Sequence, residues 1–197
     1  VFTAEWSETP HRGHDYVIAT DVGLVQDFTV AVPMCWQCKT ATAYFRERGN
    51  SVGLPARLAA FYEHWNHGTA VIETQNAGQM VLDHVRDIYP LAQGWTTDEG
   101  NKREAIMQWV ELAKTGGLTL PKEAGIIEEH RAFQSKRKTD GTWTFGAPSG
   151  AHDDRVMATV IAIGAMTTGA AAFLKTMMAL IGSQKAKENG DGAPAHS

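Results

Sequence analysis

Short apolar runs alternate along this chain with longer amphipathic ones. Residues 16–20 (Tyr-Val-Ile-Ala-Thr) form an apolar run bounded by polar residues, as in a strand buried on both faces. Residues 28–34 and 40–45 are two further strand-like runs a few residues apart, and the three predict an antiparallel meander. Residues 54–66 predict a helix, with Pro55 in its first turn and Leu58, Phe61, Tyr62 and Trp65 on one face. His67-Gly68 ends it, and the β-branched run 69–72 is a strand followed by Glu73. Asn76 is the expected cap of a helix over 76–88, with Val81, Val85 and Ile88 inward and Pro90 as its stop. A helix over 101–115 carries Ile106, Trp109, Val110 and Ala113 on its apolar face and ends at Gly116-Gly117. A short strand over 118–120, a short helix over 121–131 and a hairpin over 133–145 around Asp140-Gly141 follow. The last helix runs from about 152 to 182.

Strands that alternate with helices after an initial meander imply an α/β architecture with a mixed sheet. A right-handed crossover through the 54–66 helix lays the 69–72 strand parallel to an earlier one. If that neighbour is the 16–20 strand, Asp21 and Glu73 meet at the carboxyl edge, where open α/β sheets place their sites. Residues 1–14 read as a leader or linker, 15–182 as one domain and 183–197 as a flexible tail. The first residue is not Met, and the chain reads as a domain of a longer protein. Residues 156–174 carry no charge and approach the length of a membrane span. Their Ala, Gly and Thr content and the aspartate pair abutting them favour a buried core helix.

The 197 residues suffice for one core, and 43% hydrophobic with 20% charged residues is ordinary globular composition. The net charge of -4 counts mildly against a nucleic-acid partner, although an acidic metal site supplies part of that charge itself. Cys35 and Cys38 are the two cysteines. A zinc site needs two more ligands and there is no second Cys-x-x-Cys, so the pair reads as reduced thiols near a hairpin turn in a reducing compartment.

The candidate chemistry lies in acids at element ends: Asp21 after the first strand, Glu73 after a later one, and Asp153-Asp154 at the start of the last helix. Taken singly, each is a turn residue, a strand end or a helix cap. Together they could converge, and converging carboxylates require a cation or a proton to coexist. Oxygen-only ligands favour Mg²⁺ or Mn²⁺ and metal-assisted chemistry on phosphate. Lys102, Arg103, Lys136, Arg137 and Lys138 are local basic groups for a DNA backbone, or a solvated surface. His152 is a candidate partner of the helix-start acids, or simply flanks the helix.

In order along the chain, Tyr16-Val17-Ile18-Ala19-Thr20-Asp21-Val22-Gly23, Ile72-Glu73-Thr74-Gln75-Asn76-Ala77-Gly78 and His152-Asp153-Asp154-Arg155-Val156-Met157-Ala158 resemble the nuclease domain of tailed-phage terminase large subunits. The intervening Tyr89-Pro90, Gly94-Trp95-Thr96-Thr97 and Lys102-Arg103 are similar too, so the likeness covers roughly residues 15–165. The resemblance implies a ribonuclease H-like fold and a metal-dependent endonuclease that cuts concatemeric double-stranded viral DNA during packaging, in the host cell cytoplasm. It implies two Mg²⁺ or Mn²⁺ ions, with Asp21 bridging them, Glu73 as the second acid, and Asp154 or Asp153 as the last; Asp154 is preferred. The implied partners are DNA, the packaging ATPase domain of the same full-length protein, the terminase small subunit and the portal, and no membrane. The chain contains no G-x-x-x-x-G-K-[ST], so the ATPase motor lies outside it.

Other readings compete. Gly49-Asn50-Ser51-Val52-Gly53 matches a serine-hydrolase elbow, but the charged Arg46-Glu47-Arg48 before it favours a Gly-rich loop. A junction-resolvase-like nuclease would keep the fold and change the substrate. A packaging-assembly module with vestigial acids would keep the fold and lose the chemistry.

Overall fold

The computed structural model describes residues 1–23, 27–49 and 51–167. In chain order the elements are β1 (Phe2–Ala4), β2 (Tyr16–Asp21), β3 (Phe28–Cys35), β4 (Phe45–Arg48), α1 (Leu54–His64), β5 (Thr69–Glu73), α2 (Gly78–Arg86), β6 (Gln93–Trp95), α3 (Glu99–Thr115), β7 (Leu120–Pro121), α4 (Ala124–Ala132), β8 (Gln134–Arg137), β9 (Trp143–Gly146) and α5 (Asp154–Thr167). The central sheet has the order β4-β3-β2-β5-β6. β2, β3 and β4 are antiparallel neighbours, and β5 and β6 extend the sheet parallel to β2. This is the expected mixed sheet, with β2 at its centre and α1 as the crossover to β5.

The pleat of β2 divides the core. Tyr16 and Ile18 pack with Leu54, Leu58, Tyr62 and Trp65 of the α1 side, and with Val81, Leu82 and Val85 of α2. Val17 and Ala19 point the other way, into a second cluster with Ala158, Ile161, Ala162 and Ala165 of α5. Because side chains alternate, Asp21 continues the α5-facing row. In β5, Val71 belongs to the same row, and Glu73 follows it. Residues 156–166 of α5 are buried throughout, which is why the run is apolar on all sides. No described helix is long and apolar enough to cross a membrane. The continuation expected to 182 and the tail expected over 183–197 fall outside the described residues.

Four expectations need correction. The run 40–45 is a strand only from Phe45; before it, Ala41 N–H donates to Thr119 O and Thr42 bonds Ser7, so the chain pairs elsewhere. Asn76 does not cap α2: it has φ 53, and α2 begins after Ala77 with no side-chain cap. The cap chemistry instead appears at α3, where Asp98 and Asn101 form a reciprocal capping box that starts the helix at Glu99. Finally, residues 1–14 are not a loose leader. β1 pairs in parallel with β7, His11 N–H donates to Tyr16 Oη (2.8 Å), and Asn66 donates to the carbonyls of His11 and His14 (3.2 and 2.9 Å).

His130 of α4 is buried in this frame. Its Nδ1 donates to Ile126 O (2.8 Å), Phe2 packs edge-on against the ring, and Nε2 has no hydrogen-bond partner. Burial pushes its pKa down from 6.5 to about 4, the Arg155 charge adds to this, and the Ile126 bond opposes it. A depressed folded-state value means the unfolded chain takes up the proton first, so stability present above pH 6.5 is lost as pH falls towards 4. The loss amounts to about 3 kcal/mol. Denaturant titrations between these pH values should show His130→Gln losing less stability on acidification than the parent, by about that amount; parallel pH profiles would refute the account.

Candidate active site

The register of β2 on β5 builds the site. Val17 pairs with Thr69, and the pairing advances in step to Thr20 with Ile72. The next residues are Asp21 and Glu73, side by side on adjacent parallel strands and on the same face of the sheet, about 4.8 Å apart along the sheet. Their carboxyls are close enough to influence each other's ionisation. The local fold holds both. Tyr62 Oη bonds Thr20 Oγ1 (2.8 Å) beneath Asp21, and the Thr29 hydroxyl receives Gly23 N–H and donates to Gly49 O just beyond it (both 3.1 Å). After Glu73, the chain turns so tightly that a Cβ on Gly78 would lie 1.8 Å from Glu73 O, which leaves room only for glycine.

The third component comes from α5. Asp153 begins the helix: Met157 N–H donates to its carbonyl, and its Oδ2 accepts from Ala147 N–H (3.0 Å) beyond β9. One oxygen of Asp153 is therefore spent on tying the hairpin to the helix. Asp154 is freer. Its Oδ2 is buried without a hydrogen-bond partner, with His152 Nδ1 3.6 Å away. The start of α5 is fixed by Arg155, whose guanidinium donates to Glu129 Oε1 (2.6 Å) while its amide donates to Glu129 Oε2 (2.9 Å). Arg46 lies 3.9 Å from the same carboxylate and stacks on Phe28, whose edge meets the His152 ring.

The electrostatics follow from crowding. Burial pushes the Asp21 carboxyl well above the usual range, and the Glu73 hydrogen bond and the charges of Glu73, Asp154 and Asp153 push it the same way. Burial pushes Asp154 up to about 6; Glu129, Asp153 and Asp27 add to this and His152 opposes it. Carboxylates in this condition take up protons or a cation. An oxygen-only donor set with a buried, unpartnered Asp154 oxygen fits a hard divalent ion. Asp21, Glu73 and Asp154 are the residues that could hold it, and their carboxylate oxygens do not all come within 4.8 Å of one another without an ion.

Of the other expected residues, Lys102 and Arg103 line a groove between the start of α3 and residues Gly141–Phe145 of the hairpin. Lys136 lines a second depression with Thr144, Gly146 and Ala147, on the stem that ends at Asp153. Arg137 and Lys138 are exposed. Ser51 is no elbow nucleophile: it follows an edge strand, and its hydroxyl is taken by Glu47 (2.9 Å) and Arg57 (2.6 Å). The sequence pointed to neither Glu129 nor Arg46. Arg155 stands beside the acid pair in sequence, but its partner lies one helix away and becomes visible only through packing.

The Gly-Trp-Thr-Thr segment buttresses the site. Thr74 N–H donates to Trp95 O, Thr74 and Thr96 hydroxyls meet at 3.1 Å, and Gln75 donates to Thr97 O. Trp95 packs on Gly164 of α5, where an added Cβ would lie 2.9 Å from its ring.

A five-stranded mixed sheet of this order, flanked by helices, is a ribonuclease H-like fold. No family model matches the chain. It is 27% identical over 158 residues to the terminase large subunits of Thermus virus P23-45 and Thermus phage G20c, covering 76% of this chain and 31% of each of those proteins. The chain thus spans about a third of the curated relatives' length. In structure it is similar to the large terminase nuclease of thermophilic phage G20c. The cobalt-bound form gives a TM-score of 0.76 at 22% identity, over 83% of this chain and 92% of that one. The magnesium-bound form gives 0.75 at 22% identity with the same coverage, and the zinc-bound form 0.66 at 21%, over 82% and 92%. The chain is therefore similar to terminase large subunits over most of its length, and its fold is that of the large terminase nuclease structures it matches.

Crowded acids without a cation oppose folding at a pH where all are ionised. Asp21→Asn is expected to raise the metal-free melting temperature at pH 8 by about 2–4 °C, the shift that ~1 kcal/mol produces in a domain of this size. Mn²⁺ should raise the melting temperature of the parent and not that of the variant. Equal Mn²⁺ shifts in both proteins would remove Asp21 from the ion site.

Proposed function

We propose that this chain is the nuclease domain of a phage terminase large subunit: a divalent-metal-dependent endonuclease that cuts concatemeric double-stranded DNA during genome packaging. The observation that carries the reading is that Asp21 and Glu73 follow the last register pair of β2 and β5, side by side at the centre of the sheet, with the charges of Asp153 and Asp154 at the start of α5 acting on Asp21. Such a cluster has no structural use as a set of anions; it becomes favourable with cations bound.

Asp21, Glu73 and Asp154 would hold the divalent ions, and the burial of Asp21 beside Glu73 supports its central part in that set. A bound pair of Mg²⁺ or Mn²⁺ supplies activation of water and neutralisation of the leaving 3′ oxygen in an in-line displacement at phosphorus. The protein's part is positional. Register holds Asp21 against Glu73, Gly78 fixes the turn beside them, and Arg155-Glu129 fixes the helix that presents Asp154. Asp153, engaged by Ala147 N–H, sets the hairpin against the site. Lys136 on the hairpin stem, and Lys102 with Arg103 in the adjoining groove, are placed to take the DNA backbone. The packaging ATPase domain of the full-length protein is the natural partner, with the small subunit and the portal.

With supercoiled plasmid and Mn²⁺, Asp21→Asn, Glu73→Gln and Asp154→Asn should reduce nicking to background with the fold retained by circular dichroism. Asp153→Asn should retain more activity than Asp154→Asn. Parent-level nicking by Asp21→Asn would end the assignment. In binding assays, the Lys136→Ala/Lys138→Ala double variant should weaken DNA affinity and lower the slope of log affinity against log salt by about two. Unchanged affinity and slope would remove the hairpin from the interface.

A further inference from the structure

At the opposite end of β2 from Asp21, four side chains of metal-ligating type meet. His11 and His14 come from the N-terminal segment, and Cys35 and Cys38 from the end of β3 and the turn after it; one ligand atom from each lies within 4.8 Å of all the others. Among the described residues no other group of three or more His, Cys, Asp or Glu is so close. Both histidines face the thiols through Nδ1: His14 Nδ1 is 3.2 Å from Cys35 Sγ, and His11 Nδ1 is 4.0 Å from Cys38 Sγ. A tetrahedral zinc ion, with bonds of about 2.3 Å to sulfur and 2.0–2.1 Å to nitrogen, sets ligand separations of roughly 3.3–3.8 Å. The two measured separations bracket that range.

We propose that His11, His14, Cys35 and Cys38 form a structural Cys₂His₂ zinc site. This corrects the reading of Cys35-Trp-Gln-Cys38 as a pair of thiols without further ligands. The missing two are the His-x-x-His that ends 21 residues before Cys35 in the same chain. Two thiolates and two neutral imidazoles balance the charge of Zn²⁺, and binding releases the two thiol protons. The set is the soft one that selects zinc rather than magnesium.

The surroundings are built for it. Cys38 N–H points at Cys35 Sγ (3.5 Å), Lys39 N–H closes the turn onto Cys35 O (3.0 Å), and Lys39 takes φ 50 to do so. The histidine segment turns on itself through His14 N–H to His11 O (3.1 Å), and Asn66 holds the carbonyls of both residues. Gln37 Nε2 donates to Asp15 Oδ2 (2.8 Å) and Asp15 N–H donates to Gln37 Oε1 (3.1 Å), bridging the two loops. Cys35 is buried and both cysteines are free of disulfide. Tyr16 pairs with Cys35 and Asp21 with Val30, so five residues of β2, roughly 17 Å, separate this site from the acids. Its role is to fasten the N-terminal segment to the central sheet.

The test is zinc content of the full chain, expressed with zinc and passed through EDTA and gel filtration. About one zinc per chain is expected in the parent and in Asp21→Asn, and less than a tenth of that in Cys38→Ser and His11→Ala. Cys38 and His11 are both exposed, so these substitutions leave the apolar core untouched, and a fall in melting temperature of several degrees is expected with the zinc loss. Cobalt added to metal-free parent should give the charge-transfer absorption of a thiolate-bound ion, and Cys38→Ser should weaken it. Zinc that survives in Cys38→Ser, zinc that disappears in Asp21→Asn, or a cobalt spectrum without thiolate character would each overturn the proposal. None of these readouts depends on DNA cleavage, so the nuclease reading stands or falls separately.

Discussion

The parallel pairing of β2 with β5 sets the rest of the molecule's chemistry. Two strands running the same way in register must end together, and here both end in a carboxylate on the α5 side of the sheet. Side chains repeat every second residue, so a slip of one residue would turn Asp21 or Glu73 into the opposite core. The apolar rows forbid that slip: Ile18 and Ile72 belong to the α1 side, Val17, Ala19 and Val71 to the α5 side. The same burial that fixes the register therefore fixes the acids. It also makes their ionisation unfavourable, which is the property a cation site needs.

The third acid depends on helix placement rather than on register. α5 crosses the sheet with an almost wholly apolar surface, which lets it lie flat but says little about where along its axis it stops. That position is set by polar and steric contacts at its two ends. At the start, Arg155 makes two bonds to Glu129, and Asp153 takes the Ala147 amide. Further along, Trp95 seats against Gly164 and Tyr44 Oη bonds Thr159 Oγ1 (2.9 Å). The Arg155-Glu129 pair is nearly enclosed, and removal of either member would leave a charge without its counterpart. Its proximity to Asp154 gives it an electrostatic cost as well, because Glu129 raises the very carboxyl that α5 presents.

Elements with strong local periodicity were legible in the chain itself. The run Tyr-Val-Ile-Ala-Thr, the α1 face of Leu58, Tyr62 and Trp65, and the Asp140-Gly141 hairpin all stand where their patterns put them. So did the crossover that brings Asp21 beside Glu73, because handedness and chain order leave few alternatives. What escaped was set by partners distant in sequence. Residues 40–44 look like a strand, yet their amides and carbonyls go to Thr119 and Ser7. Asn76 has the chemistry of a cap, yet the tight turn at Gly78 puts it in the left-handed region instead. Glu129 carries no local mark at all. The His-x-x-His was readable as ligand spacing, but its meeting with Cys35 and Cys38 required the fold of the N-terminal segment, which a Pro- and Gly-containing sequence does not disclose.

β2 thus has contrasting chemistry at its two ends. At its carboxyl end, hard oxygen donors crowd together; at its amino end, sulfur and nitrogen donors meet within 4.8 Å of one another. Donor softness keeps the two from competing for one ion, since carboxylates suit magnesium or manganese and thiolates suit zinc. The two ends also differ in what a metal would do for the fold. The acids lie on strands already held by ladder hydrogen bonds and two apolar layers, so an ion there relieves repulsion without being needed for the architecture. His11 and His14 lie on a segment tied down by a few hydrogen bonds and, further back, by β1, which pairs with β7 in a sheet separate from the central one. A cross-link at that point would remove conformational freedom from a segment without a long strand or helix of its own, where a single tetrahedral ion adds to order. The proposed zinc site and the acidic cluster therefore divide the work by chemistry: one orders backbone, the other compensates charge where the backbone is already ordered.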